Sequence, residues 1–337
     1  MQTLLITDLH LNSRIPDLLD VQVECVLKIF YDEMPDEVII MGDVFMYRKP
    51  TPSELIGFKK IITCMKSSAK VAVIRGNHDS ETKADDGRTA LLLYEDDNVN
   101  IVTHTYVDYK RKRVFIPHYE NEETIIKDLE MVPTGYTVFG HFGYDGCLNS
   151  AGDADFGISL SNFSNRTFLG HIHGFCERQG GLPDSHSTVT CLGTPYTTNY
   201  GEAFKENFYA LLSGTRWDNH CLAIKYKQPT TGPRHLVYSA KEVENNLDII
   251  NDPNYFTFLR IMVQADHYSI PYDKLKVAYV DIKYAPVFNE EDISSYSADR
   301  DLFSINDVII SDYIKEANST IATDKLMEGY RLLQDEN

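Results

Sequence analysis

The sequence has no run of about 18 apolar residues, which excludes a membrane-spanning helix. It has no Cys-x-x-Cys pair. Its six cysteines (Cys25, Cys64, Cys147, Cys176, Cys191 and Cys221) are scattered, which argues against a disulfide framework or a thiolate zinc site and for reduced, cytoplasmic thiols. Basic charge is scarce: 32 Lys and Arg face 50 Asp and Glu, for a net charge of −18. The deficit is spread along the chain, −8 over residues 1–240 and −10 over 241–337. Phosphate contacts come from Lys and Arg, so this chain is a poor general nucleic-acid binder; if it acts on DNA, another subunit supplies much of the affinity. Internal repeats and low-complexity tracts are absent too. The segment Met1–Ile6 lacks a basic leader and runs straight into a strand pattern, so it reads as mature structure.

What is present is ordinary globular composition, 43% hydrophobic over 337 residues, enough for one large core and a smaller appended unit. Residues 1–215 alternate short apolar runs with polar helical stretches. Strands are expected at Thr3–Thr7, Glu37–Met41, Lys70–Ile74, Asn100–His104, Arg113–Pro117, Tyr136–Phe139, Thr167–Leu169 and Thr188–Leu192. Several are continuous Val/Ile/Leu runs, the signature of strands covered on both faces. Leu18, Leu19, Val26, Leu27 and Phe30 can line one face of a first helix. A second opens on Thr51, Pro52 and Glu54, a capping box with proline in the first turn. Beyond residue 215 the pattern predicts a strand near Cys221–Tyr226, a turn-rich stretch Gln228–Pro233, and strands at Tyr255–Val263 and Lys276–Tyr284. Two amphipathic helices follow, on Ile305, Val308, Ile309 and Tyr313 and on Leu326, Met327, Tyr330 and Leu333.

Five polar clusters each follow directly on an expected strand: Asp8-Leu9-His10, Gly42-Asp43, Gly76-Asn77-His78-Asp79, Gly140-His141 and Gly170-His171-Ile172-His173. In layered α/β folds, functional groups gather at strand exits. Each cluster alone is a common turn or loop; all five, in order and at strand ends, point to convergence. Asp8, His10, Asp43, Asn77, His141, His171 and His173 offer carboxylate, amide and imidazole but no sulfur, a donor set suited to Mn2+ and similar ions. Seven donors exceed one tetrahedral ion and suit two ions sharing a carboxylate, which activate water and clamp a phosphate for in-line attack. Glycines 42, 76, 140 and 170 precede donors, where a missing Cβ lets the backbone turn and approach closely. His104, His118, His186, His220, His235 and His267 lack such context and are assigned structural or surface roles.

In this order the clusters resemble the signature of the calcineurin-like metallophosphoesterases, over residues 8–173. The resemblance implies a four-layer αββα sandwich in the α/β class, with a small α+β capping domain and C-terminal helices. It implies one metal at Asp8, His10, Asp43 and His173 and a second at Asp43, Asn77, His141 and His171, with Asp43 bridging. His78 matches the histidine that protonates the leaving oxygen, a role that suits an imidazole beside a ligand. Gly42-Asp43-Val44-Phe45 with Arg48-Lys49-Pro50-Thr51-Pro52, and Leu192–Thr198 with Glu202, are similar to the SbcD-type and meiotic-recombination nucleases. The chain's length and C-terminal stripes most resemble the T-even phage exonuclease subunits of that group. That resemblance implies a Mn2+-dependent DNA exonuclease and endonuclease, a homodimer, no membrane association, and an SMC-like ATPase partner of the SbcC type in DNA end processing, recombination and repair. It divides the chain into a nuclease domain (1–230), a capping domain (231–300) and partner-binding helices (301–337). Met46 departs from the pattern, which carries a polar residue there, and processive digestion is the property this touches. The alternative is a phosphatase or phosphodiesterase with a non-DNA substrate, although Val44–Lys49 lacks the Asp-Arg-Gly run of the protein phosphatases. A non-catalytic scaffold on the same fold is disfavoured because no donor is missing.

Overall fold

The computed structural model describes residues 1–148, 157–181, 187–214, 223–263 and 270–284. These lie in one compact unit, Met1–Ala285. The two C-terminal helices expected over 301–337 lie outside the described residues, as do His186, His220, His267 and Cys221.

In chain order the strands are β1 (Gln2–Ile6), β2 (Glu37–Ile40), β3 (Lys70–Ile74), β4 (Val99–Val102), β5 (Tyr106–Asp108), β6 (Arg113–Ile116), β7 (Thr137–His141), β8 (Thr167–Gly170), β9 (Cys176–Gln179) and β10 (Thr188–Cys191). They continue with β11 (Tyr209–Ser213), β12 (Ala223–Lys227), β13 (Gly232–Ser239), β14 (Tyr255–Val263) and β15 (Tyr279–Tyr284). The main helices are α1 (Leu18–Glu33), α2 (Pro52–Met65) and α3 (Glu122–Glu130). One six-stranded sheet has the order β12-β11-β1-β2-β3-β4 and a second the order β5-β6-β7-β8-β10-β9. In the first sheet β1 to β4 are parallel and β11 and β12 join antiparallel; in the second β6, β7, β8 and β10 are parallel and the edge strands β5 and β9 antiparallel.

Strand periodicity explains the layering. In the first sheet Leu5, Ile39, Ala72 and Ile74 turn toward the second sheet and meet Phe115, Phe139 and Phe168. Their neighbours Leu4, Ile6, Val38, Ile40, Val71 and Val73 turn the other way, onto α1 and α2. The second sheet covers its outer face with Ile125 and Leu129 of α3. The result is helix, sheet, sheet, helix, the four-layer α/β sandwich.

The capping box of α2 forms: the Thr51 hydroxyl accepts from the Glu54 N–H at 3.2 Å, and Glu54 accepts from the Thr51 N–H at 2.7 Å. The stretch expected to be turn ends earlier than the sequence suggests, because Gly232 and Pro233 already belong to β13. That strand is an edge, where proline costs no ladder bond. β13, β14 and β15 form a separate parallel sheet. It leans on α1 through the Cys25 thiol, which donates to the Thr231 carbonyl at 3.1 Å. No helix among the described residues is long and apolar enough to cross a membrane.

Candidate metal centre

Each polar cluster sits at or just past the carboxyl end of a parallel strand: Asp8 and His10 after β1, Asp43 after β2, Asn77 and His78 after β3, His141 closing β7, His171 and His173 after β8. The first three strands belong to one sheet and the last two to the other. The two sheets therefore present their donors to each other across one end of the sandwich. The loops after β1 and β2 run side by side, with Asp8 N–H bonded to the Gly42 carbonyl and His10 N–H to the Asp43 carbonyl, both at 3.0 Å.

All seven candidate donors come together. Asp8, His10 and His173 place ligand atoms within 4.8 Å of one another, as do Asp43, His141 and His171. Asp43 faces both groups: its Oδ2 is 3.8 Å from His10 Nε2 and its Oδ1 is 3.3 Å from His141 Nε2. His10 Nε2 lies 3.0 Å from His173 Nε2. Asn77 Oδ1 lies 3.1 Å from both His141 Nε2 and His171 Nδ1. Two donors about 2.1 Å from a common ion and at right angles stand about 3 Å apart, so these spacings fit divalent ions. The donor set is wholly oxygen and nitrogen, which suits hard or borderline cations.

The backbone is strained where the donors sit. Asp8, His10, Asp43 and His171 have φ values of 53°, 44°, 48° and 80°, in the left-handed region that L residues seldom enter. Such strain persists at functional sites when the surroundings enforce it. The glycines explain part of the fit. A Cβ on Gly76 would lie 2.1 Å from Asp43 Oδ1, and one on Gly42, itself at φ 94°, would lie 2.2 Å from His141 Nδ1.

Supporting groups fix the side chains. Asp8 accepts from the Thr7 hydroxyl at 2.6 Å and from the His171 N–H at 3.1 Å. Asp43 accepts from the His78 N–H at 2.9 Å. The Nδ1 of His141 donates to the Met41 carbonyl at 2.6 Å, which turns Nε2 toward Asn77 and Asp43. Burial opposes charge on Asp43, but the adjacent His141 and His10 imidazoles override it and hold the carboxyl well below the usual range. Burial, only partly offset by Asp43 and Asp8, lowers His10 to about 4.

His78 lies beside His10, with ring centroids 5.1 Å apart, and its nitrogen groups with those of His10 and Asp43. Its Nδ1 donates to the Met46 carbonyl at 2.6 Å, the orienting contact that the sequence leaves unnamed. Asp79 is buried beneath the centre. It accepts from the N–H groups of Val44, Phe45 and Gly76 at 3.0, 3.2 and 2.9 Å, tying the loops after β2 and β3 together.

One assignment needs correction. His118 is no remote structural histidine: its ring lies 6.1 Å from that of His171 and 6.4 Å from that of His141. Its buried Nδ1 has no hydrogen-bond partner among the described residues. Burial, with the imidazoles of His141 and His171, lowers it to about 3, so it stays neutral. His118 follows directly on β6, the same strand-exit position that marks the other clusters. His235, by contrast, is structural: it stacks on Phe258 at 4.5 Å and bonds Thr197. A cleft of about 300 Å³ opens beside the centre, lined by Asn77, His171, His118, Arg48, Lys83 and Phe142. Arg48 spans its edge, donating to Glu120 at 2.8 Å and to the Thr82 carbonyl at 3.1 Å.

No curated protein matches the sequence. Among solved structures, YfcE, a phosphoesterase from E. coli, is similar at 14% identity with a TM-score of 0.37, over 67% of this chain and 98% of that one. The family model for calcineurin-like phosphoesterases matches residues 1–175, a span holding all seven donors and His78. The chain belongs to the calcineurin-like phosphoesterases, metal-dependent hydrolases that work with a dinuclear metal site.

Proposed function

We propose that this chain is the nuclease subunit of an SMC-like ATPase–nuclease complex, a Mn2+-dependent exonuclease and endonuclease acting on DNA ends. The observation that carries the hydrolytic reading is the pair of donor groups joined through Asp43. Asp8, His10, Asp43 and His173 would hold one ion; Asp43, Asn77, His141 and His171 would hold the other. When bound, two divalent ions neutralise phosphoryl oxygens and lower the pKa of water at the site.

The chain's own residues supply the rest. His78 is pinned through Nδ1 by the Met46 carbonyl, so its ring is held in one orientation and Nε2 is left to carry a proton to the leaving oxygen. Because a backbone carbonyl does the pinning, the side chain of Met46 is not needed for it. His118 brings a neutral nitrogen to the wall of the cleft. The DNA assignment rests on the resemblance of Arg48–Pro52 and Leu192–Thr198 to the SbcD-type nucleases. Arg48 and Lys83 fit it, since they line the cleft beside Asn77 and His171 and can meet phosphates flanking the scissile one. The acidic balance of the chain fits a complex whose ATPase subunit carries the main DNA-binding surface. A homodimer, a capping role for 231–300 and ATPase contact through 301–337 complete the proposal.

One observation favours a second reading, a phosphatase or phosphodiesterase with a small substrate. Glu120 and Glu122 line the same cleft as Arg48 and Lys83, so it is no strongly basic groove. The two readings separate when end-labelled linear duplex, a cyclic nucleotide and a phosphoprotein are offered with Mn2+, with and without the ATPase partner. Nuclease function predicts nucleotide release from duplex that falls by about 10²-fold or more in His78→Ala. Turnover of the cyclic nucleotide or phosphoprotein far above that of DNA would establish the second reading. No nucleotide release under any condition, with metals bound, would end the first.

A further inference from the structure

The three imidazoles whose neighbours are defined on both nitrogens are not supported alike. His141 Nδ1 meets a backbone carbonyl, and His10 Nδ1 is buried without a partner among the described residues. His173 alone of these meets a carboxylate at Nδ1, which lies 2.5 Å from Glu202 Oε1. Glu202 is 1% exposed. It lies on the strap of chain that joins β10 to β11. The strap grips the carboxylate with its own donors: Thr198 N–H at 2.6 Å on Oε2, and the Thr198 hydroxyl and Asn199 amide, each at 2.9 Å, on Oε1. A buried carboxylate held by three hydrogen bonds from two neighbours cannot swing away, so its fourth contact fixes whatever it touches. A carboxylate acceptor at Nδ1 keeps the proton on that nitrogen and bares Nε2, the atom 3.0 Å from His10 Nε2.

We infer that Glu202 is a positioning residue for one metal only: it selects the tautomer and orientation of His173 and so sets the affinity of the ion shared by Asp8, His10, Asp43 and His173. This rests on the two-ion reading of the centre. Partners of this kind behind a metal-bound histidine contribute about 10- to 100-fold in metal affinity. The Glu202 carboxylate bonds His173, Thr198 and Asn199 among the described residues, so an ion held by Asp43, Asn77, His141 and His171 should keep its affinity.

The test is an equilibrium Mn2+ titration of the full chain, followed by electron paramagnetic resonance, for wild type, Glu202→Gln and Glu202→Ala. Wild type is expected to bind two ions. Glu202→Gln retains the shape and an acceptor oxygen but loses the charge, and should weaken one of the two ions by up to about tenfold. Glu202→Ala should weaken that same ion by about 10- to 100-fold and leave the other unchanged. Hydrolysis by both variants should recover as Mn2+ is raised, which a merely structural defect would not allow. Two ions bound at wild-type affinity in both variants would overturn the inference while leaving the two-ion centre intact. Equal weakening of both ions in Glu202→Gln would also overturn it, because the role would then be general. If Glu202→Ala does not fold, the Gln variant decides. A wild-type chain that binds fewer than two ions removes the reading of the centre, and the inference with it.

Discussion

At the scale of single residues, the centre is assembled from side chains whose backbone is locally unfavourable. Left-handed φ at Asp8, His10, Asp43 and His171 costs on the order of 1–3 kcal/mol each. Close packing of the loops holds these conformations, and Gly76 is the tightest point. Gly76→Ala would force a Cβ to 2.1 Å from Asp43 Oδ1 and 2.3 Å from its backbone nitrogen, so one loop must move. We expect a loss of about 1–3 kcal/mol in stability. In thermal unfolding, the rise in melting temperature that Mn2+ gives the wild-type chain should disappear in the variant. The seven donors and His78 are legible in the sequence because each stands in a short motif at a strand exit. Asp79 was visible within such a motif, but not its grip on Val44, Phe45 and Gly76. Glu202 was visible only through resemblance: it lies 29 residues beyond His173, and no spacing rule links them. His118 follows a strand as the others do, but no glycine stands beside it.

At the scale of elements, continuous apolar runs gave the central strands correctly, and the capping box marked the start of α2 within a residue. Other elements lack those signals. β5 has three residues, β9 is the polar run Cys-Glu-Arg-Gln on a sheet edge, and β11 has no β-branched residue. β13 opens on Gly-Pro, which reads as a turn until β14 is beside it. α3 is a nine-residue helix with only Ile125 and Leu129 buried, too short for a clear stripe. β13 also carries a pH dependence. Burial, against the pull of Glu202, lowers His235 to about 4 from 6.5, so the folded chain keeps it neutral where the unfolded chain is protonated. Stability from this source is complete above pH 6.5 and drains away as pH falls through 4, by about 3 kcal/mol at pH 4. His235→Phe, which retains the stack on Phe258, should therefore unfold in urea with a shallower pH dependence between 6.5 and 4 than wild type.

At the scale of the molecule, the two sheets meet at two very different ends. Opposite the centre, at the amino ends of β2 and β6, Arg113 grips Glu37 with two hydrogen bonds of 2.7 and 3.0 Å, and both residues are buried. Removing the cation in Arg113→Ala strands a buried carboxylate, and chemical denaturation should show a loss of about 3–5 kcal/mol. Mn2+ affinity should be unchanged, because the pair stands a full strand length from the donors. At the other end the Arg48–Glu120 pair stands at the partly exposed rim of the cleft, while acids and imidazoles from both sheets face each other around Asp43. The account stands on that shared carboxylate. The number of Mn2+ ions bound per chain, measured at equilibrium in wild type and Asp43→Ala, tests it most directly. Two ions in the wild-type chain and loss of both high-affinity sites in the variant is the predicted result. One ion in wild type, or an Asp43→Ala chain that still binds two tightly, would contradict it.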